Sequence, residues 1–242
     1  PKRYFDPEVA MRTYEEHLEA WALMDGLGYY GVGFNEHHTS PYGLMNSPNL
    51  MAAAAAQRTK NLKLLIYGNV LPVHEPLRLA EELAMLDNLS QGRVISGFVR
   101  GIPREYVVYG VPFRESRGRF NEAWEIIERA WTEEVFSYEG EFWSYKDVAI
   151  WPRPVQQPHP PIWVGGHSDG ALRRAARFGD AWHPLEFALD WARDVGLPSL
   201  RRLADAEGRD VPSFCPRVLC NVTDTPMPKD GRLAGQGSLD QI

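Results

Sequence analysis

The stretch Tyr29-Tyr30-Gly31-Val32-Gly33-Phe34-Asn35-Glu36-His37-His38 is a short apolar run that ends in three consecutive titratable side chains. A run of this length, closed by polar residues, reads as a buried strand. Before it, residues 8–26 carry a helical pattern, with Pro7 near the start and Gly26 and Gly28 at the end. After it the alternation repeats. Residues 48–58 read as helix, Leu62 to Tyr67 as strand, and Pro76 to Leu89 as a helix with proline in its first turn. Arg93 to Val99 reads as strand and Ser116 to Glu134 as a long amphipathic helix. Residues 135–161, aromatic and proline-rich, break the rhythm as a hairpin-like excursion. Beyond it come a strand at Ile162 to Val164, a helix from Asp169 to Phe178 and a strand at Ala181-Trp182. A helix over 186–207 and a strand from Phe214 to Val222 follow, and the last twenty residues read as loop.

Strand–helix alternation of this kind predicts an α/β fold with a parallel sheet and helices outside it. One domain over residues 1–242 is expected, a (β/α)8 TIM-type barrel of which about six strands are in the sequence. Its first and last strands would then precede residue 1 and follow residue 242, unless the barrel is incomplete.

The composition, 44% hydrophobic and 24% charged over 242 residues, supports a large core without disulfides or metal. A net charge of -6 leaves no basic face for nucleic acid or an anionic membrane. No apolar stretch reaches the roughly 18 residues of a membrane span, and Pro1-Lys2-Arg3-Tyr4 opens without an apolar leader, so a cytoplasmic location is expected. The two cysteines, Cys215 and Cys220, would point to opposite faces of a strand, and two buried thiols are expected rather than a disulfide or metal site. Neither His-x-His nor His-Glu-x-x-His occurs, which argues against zinc.

In a parallel α/β barrel the chemistry sits at the carboxyl ends of the strands. Glu36, His37 and His38 stand at such an end, where each must be satisfied or solvated. One histidine of the pair can act as general base or donor near pH 7, and alternation allows only one to face the cavity fully. Arg100-Gly101 closes the Arg93–Val99 run with a fixed cation suited to phosphate or carboxylate, though Arg100 could equally be a surface residue paired with Glu105. Arg117 lies in the first turn of a helix, where a cation opposes the dipole unless a bound anion offsets it. Val164-Gly165-Gly166-His167-Ser168-Asp169-Gly170 has the shape of a phosphate cradle, tempered by the Asp169 carboxylate, with an ordinary capped helix as the alternative. Gly68-Asn69 suits a flat ring packed against backbone. The aromatics of 136–151 could roof an apolar substrate, but core packing accounts for most of them.

Read together, these segments resemble the luciferase-like flavin monooxygenase family from about residue 8 to 185. The carrying stretches are Asn35-Glu36-His37-His38, Asn69-Val70-Leu71-Pro72-Val73-His74-Glu75-Pro76 and Leu86-Asp87-Asn88-Leu89-Ser90-Gln91-Gly92-Arg93. Arg100-Gly101, Ser116-Arg117 and Pro161-Ile162-Trp163-Val164-Gly165-Gly166-His167-Ser168 complete the set. The resemblance implies a barrel, often dimeric, that binds reduced FMN delivered by a separate flavin reductase. It also implies reaction of the flavin with O2 to a peroxyflavin that oxidises a small organic substrate, frequently an aldehyde or ketone. His37 matches the family's active-site histidine. Arg100, Arg117 and Ser168, with the backbone at Gly166 and His167, match residues that hold the flavin phosphate. The Tyr67–Gly68 peptide matches a position that is cis beside the flavin ring, next to Asn69. Val99 stands where the light-emitting α chain has cysteine, so light emission is not implied, and Ala171 replaces a hydroxyl residue near the phosphate. The alternatives are an F420-dependent hydride-transfer oxidoreductase of the same superfamily, a non-catalytic flavin-binding protein and a metal-dependent barrel hydrolase.

Overall fold

The computed structural model describes residues 5–39, 44–184, 188–217, 221–228, 236–238 and 240. Their contacts group them into two compact units, Pro1–Trp163 and Val164–Ile242.

Helix starts in the first unit follow from local chemistry. Asp6 accepts from the Glu8 and Val9 N–H groups at 2.9 and 3.3 Å and opens α1 (Pro7–Gly26). Ser47 caps α2 (Pro48–Arg58) and Glu75 caps α3 (Pro76–Leu89), and each helix begins with a proline whose missing N–H costs nothing there. Between them run β1 (Gly31–Phe34) and β2 (Lys63–Val70), followed by β3 (Val94–Val99). The three strands pair in parallel, Gly31 opposite Lys63 and Leu64 opposite Val94. The register slips by one residue between Tyr67 and Asn69, where the Tyr67–Gly68 peptide is cis. After β3 come α4 (Pro103–Tyr109), a 3-10 turn at Phe113–Glu115 and α5 (Ser116–Thr132).

Alternation along the strands sends one set of side chains into the core. Phe34, Leu64, Ile66 and Phe98 are buried, with Phe34 edge-on to Trp21 of α1 and Phe98 5.7 Å from the Trp124 ring of α5. Trp131 of α5 is fully buried and donates its indole N–H to the Ala80 carbonyl of α3 at 3.0 Å. Each such side chain contributes about 1.5–3 kcal/mol. The expected excursion is present as β4 (Phe136–Glu139) and β5 (Ser144–Val148), an antiparallel pair. The return segment is pinned where buried Asp87 accepts from the Gln156 backbone and side-chain amides at 2.9 and 2.7 Å. The Ser96 N–H then donates to the Pro161 carbonyl at 2.8 Å, at the lead-in to β6 (Ile162–Gly165).

The second unit carries α6 (Asp169–Phe178), β7 (Ala181–His183), α7 (Leu189–Trp191) and α8 (Leu197–Ala206), with β8 (Ser213–Phe214) parallel to β7. The helix expected over 186–207 is divided by a π-helical turn at Ala192–Gly196, where Gly196 leaves room for the Trp182 and Trp191 rings. The strand expected from Phe214 to Val222 is instead two short ones, β8 and β9 (Asn221–Val222), and Cys220 lies outside the described residues. Cys215 is a free thiol, only half-buried, which corrects the expectation of a buried one. β10 (Gln236–Gly237) pairs with β9 inside the tail expected to be loop. The α4 helix was not expected, because Tyr106-Val107-Val108-Tyr109 has strand-like composition.

Candidate active site

The end of β1 delivers Glu36 into the interior of the first unit, where its side chain is fully buried. A buried carboxylate needs several donors to remain ionised, and four converge on it. His38 Nε2 lies 2.7 Å from Oε1, and His74 Nε2 lies 2.9 and 3.0 Å from the two oxygens. Asn69 Nδ2 and the Val70 N–H donate to Oε2 at 3.2 and 3.4 Å. Burial pushes the Glu36 carboxyl up, but the hydrogen bond and charge of His74, with hydrogen bonds from His38 and Asn69, hold it below the ordinary value. An ionised carboxylate only accepts, so both imidazoles carry their proton on Nε2. His38 Nδ1 is then the acceptor for the Tyr109 hydroxyl at 2.9 Å.

His37 has different surroundings. Its backbone N–H donates to the Met45 carbonyl at 3.0 Å, while its side chain remains 34% exposed. Nδ1 lies 3.6 Å from Oε1 of Glu105, a buried carboxylate whose Oε2 accepts from the Ile102 N–H at 3.0 Å. Glu105 thus faces His37, and among the described residues Arg100 forms no ion pair with it. The expected division within the histidine pair is present: His38 is enclosed and His37 is accessible.

At the β2 slip, Gly68 is buried, and a Cβ there would lie 2.9 Å from the Gly97 carbonyl oxygen and 3.0 Å from Val99 Cγ1. Asn69 is 1% exposed; its amide N–H group serves Glu36 while its Oδ1 has no partner among the described residues. Tyr67 stays half-buried beside them. The region thus offers a side-chain-free backbone and a spare buried acceptor.

At the end of β3, Gly101 has φ +82°, a conformation suited to glycine, and turns the chain into α4. The Tyr106 hydroxyl donates to the Arg100 carbonyl oxygen and reaches the Ser116 hydroxyl, joining this turn to the start of α5. The Arg100 guanidinium lies 5.8 Å from the Phe113 ring centroid in the turn before α5. Two arginines around that helix start are already paired, Arg114 and Arg119 both with Glu115. Arg117 is exposed in the first turn, which holds no acidic residue, and forms no ion pair among the described residues.

In the second unit, Gly166 has φ +103° and its N–H donates to the His183 carbonyl at 3.2 Å. Ser168 caps α6 by accepting from the Ala171 N–H at 3.3 Å, and buried Ala171 sits where a Cβ on Gly166 would approach to 3.2 Å. Ser168 and His167 are exposed. The Gly166–Ser168 loop is therefore both a capped helix start and an accessible row of polar groups.

Sequence reasoning assigned no role to His74, Tyr109, Asn49 or, beyond a pairing with Arg100, Glu105. Asn49 bridges Asn69 and Glu82 at 3.4 and 3.1 Å. Three of the four lie more than 30 residues from their partners, so no local spacing marks them. Among the described residues no cluster of three or more His, Cys, Asp or Glu could hold a metal ion, and no helix is long and apolar enough to cross a membrane.

Comparison with known proteins places the chain in a family. The family model described as luciferase-like monooxygenase matches residues 4–227. The oxygenase component of the flavin-dependent trigonelline monooxygenase of Acinetobacter baylyi is 30% identical over 181 residues, 74% of this chain and 50% of that protein. The FMNH2-dependent dimethylsulfone monooxygenase of Pseudomonas putida is 32% identical over 153 residues, 60% of this chain and 41% of that protein. The crystal structure of monooxygenase RslO1 from Streptomyces bottropensis superposes with a TM-score of 0.79 at 35% identity, covering 87% of this chain and 66% of that one. The chain spans about half the length of the curated relatives it matches. It is a member of the luciferase-like monooxygenase family.

Proposed function

We propose that the protein is an FMNH2- and O2-dependent monooxygenase of a small organic substrate, built on a (β/α)8 barrel of which the sequence holds part. The observation that carries this reading is the pair of cations Arg100 and Arg117, which form no ion pair among the described residues. Arg100 reaches the turn before α5 and Arg117 occupies its first turn, while Arg114 and Arg119 beside them both pair with Glu115. A helix start with two guanidinium groups that meet no carboxylate among the described residues suits the dianionic tail of a flavin mononucleotide. The residues fit the flavin at the ring end too. Gly68 presents bare backbone and Asn69 Oδ1 is a buried acceptor that meets no donor among the described residues, suited to a ring N–H. Tyr67 flanks the same bulge.

The bound reduced flavin supplies two electrons to O2, so that one oxygen atom enters the substrate and the other leaves as water. The chain's own part is to bind, orient and move protons. His37, accessible and facing Glu105, is the acid–base group. The relatives' printed names support delivery of reduced flavin by a partner reductase, and a homodimer is part of the same proposal.

Binding of FMN, riboflavin, FAD and F420 by fluorescence titration tests the reading. FMN should bind at least about tenfold more tightly than riboflavin, a phosphate contribution of about 1.4 kcal/mol. Arg117→Ala should remove that preference and Arg119→Ala should not. Tighter binding of F420 than of FMN would replace the monooxygenase by a hydride-transfer enzyme.

A further inference from the structure

We propose that the Tyr109 hydroxyl, backed in line by His38 and Glu36, is a second proton-exchanging group of the first unit, distinct from His37.

The chain of contacts is continuous. Glu36 Oε1 meets His38 Nε2 at 2.7 Å, and His38 Nδ1 meets the Tyr109 hydroxyl at 2.9 Å. A carboxylate, an imidazole and a hydroxyl in that order make the arrangement that lets a weak acid give up its proton to a positioned base. Each member is fixed. Glu36 is saturated by His74, Asn69 and Val70, so it does not need to move. His38 is only 10% exposed in its side chain, bonded at both ring nitrogens and packed edge-on against Tyr109 with centroids 4.9 Å apart. Tyr109 ends α4, which Gly110 closes in the left-handed conformation, so the phenol is held by helix geometry rather than by a loop. Tyr109 is the exposed end of the row, at 48% of its surface.

The direction of transfer follows from the resting state. Burial, with the charges of Glu36 and Glu105, holds the Tyr109 phenol above its ordinary value, so it starts protonated. A substrate O–H, or a C–H beside a carbonyl, gives its proton to Tyr109 Oη while the proton of Tyr109 passes to His38 Nδ1. The imidazolium that forms faces the Glu36 carboxylate, and the reverse movement returns the proton to product. Among the described residues, the other titratable and charged groups around the row are His37, Arg104 and Glu105, with His74 on the far side of Glu36. Arg104 is engaged with the Thr39 carbonyl at 2.6 Å and Glu105 faces His37. The substrate class is therefore one with a weakly acidic hydroxyl or an enolisable carbonyl. Only the identity of that proton donor rests on the monooxygenase reading.

Histidine 15N NMR of the full chain without cofactor tests the row directly. His38 should show a protonated Nε2 and an unprotonated Nδ1, and Tyr109→Phe, which keeps the ring, should shift Nδ1 alone. A protonated Nδ1, or no shift in Tyr109→Phe, overturns the proposal. In turnover, Tyr109→Phe should lower kcat about a hundredfold with KM and the FMN Kd unchanged, within the range of a lost general acid–base group. An unchanged kcat would reduce the row to a structural one and overturn the proposal too. A wild type that binds no FMN refutes the monooxygenase reading, and the nitrogen shifts then decide the row on their own.

Discussion

Replacement of Glu36 by Ala is the perturbation whose size the structure fixes best. The change takes the acceptor from the Val70 N–H and from one N–H of the Asn69 amide, both residues at 1% exposure, at 3.4 and 3.2 Å, while the other Asn69 N–H keeps Asn49. Each unsatisfied buried donor costs about 1–3 kcal/mol. His38 and His74 lose their shared partner as well, but His74 is partly exposed and can turn to water. A loss of about 3 kcal/mol follows, which for a chain of this size lowers Tm by about 6–12 °C. Glu36→Gln should cost less. Its oxygen can keep Val70 and Asn69 while its NH2 faces the imidazoles, which can present an unprotonated Nε2 by moving their proton to Nδ1. The pH dependence has a definite sign. The Glu36 carboxyl is held below its ordinary value in the folded protein, so its contribution is complete above the ordinary carboxylate range. It fades as pH falls through the folded value, and the gap between wild type and Glu36→Gln should close on acidification. Urea denaturation at pH 7 and in the carboxylate range measures both effects. A loss under about 1 kcal/mol for Glu36→Ala, or a gap that widens in acid, would refute the reasoning.

Two further changes separate chemistry from scaffold. His37→Ala should slow turnover by about 10²–10⁴-fold while the FMN Kd, read by fluorescence, stays within a factor of about three. Arg93 donates to carbonyl oxygens of Ala56, Thr59, Leu62 and Ser90 and to the Thr59 hydroxyl, with no carboxylate within ion-pair distance among the described residues. Arg93→Ala should therefore cost about 2–4 kcal/mol in urea unfolding, with FMN affinity unchanged.

The fold was legible where periodicity and punctuation agreed. Residues 48–58, 76–89 and 169–178 were bounded by proline or a capping residue, and the helices have those bounds. Where tertiary packing overrides propensity, reading failed. Tyr106-Val107-Val108-Tyr109 forms helix because Pro103 and Gly110 set its ends and Tyr106 packs inward against Phe113. The π-turn at Ala192–Gly196 follows from the Trp182 and Trp191 rings crowding Gly196, which no local pattern encodes. At the site, Glu36 and His37 announced themselves as polar groups at a strand end. Their partners His74 and Glu105, and the Tyr109 hydroxyl that meets His38, come from elsewhere in the chain and required the fold. Arg117 was a weak signal in the sequence. It stands out only once Glu115 is seen to pair with Arg114 and Arg119 and leave Arg117 without an ion-pair partner among the described residues.

Mass analysis of products formed from reduced FMN and 18O2 with a panel of aldehydes and ketones tests the central claim most directly. One 18O atom is expected in the oxidised product, formed only when reduced FMN is present and strongly diminished in His37→Ala. Consumption of reduced FMN with hydrogen peroxide as the sole product across the panel would contradict it. So would anaerobic oxidation of a substrate coupled to F420.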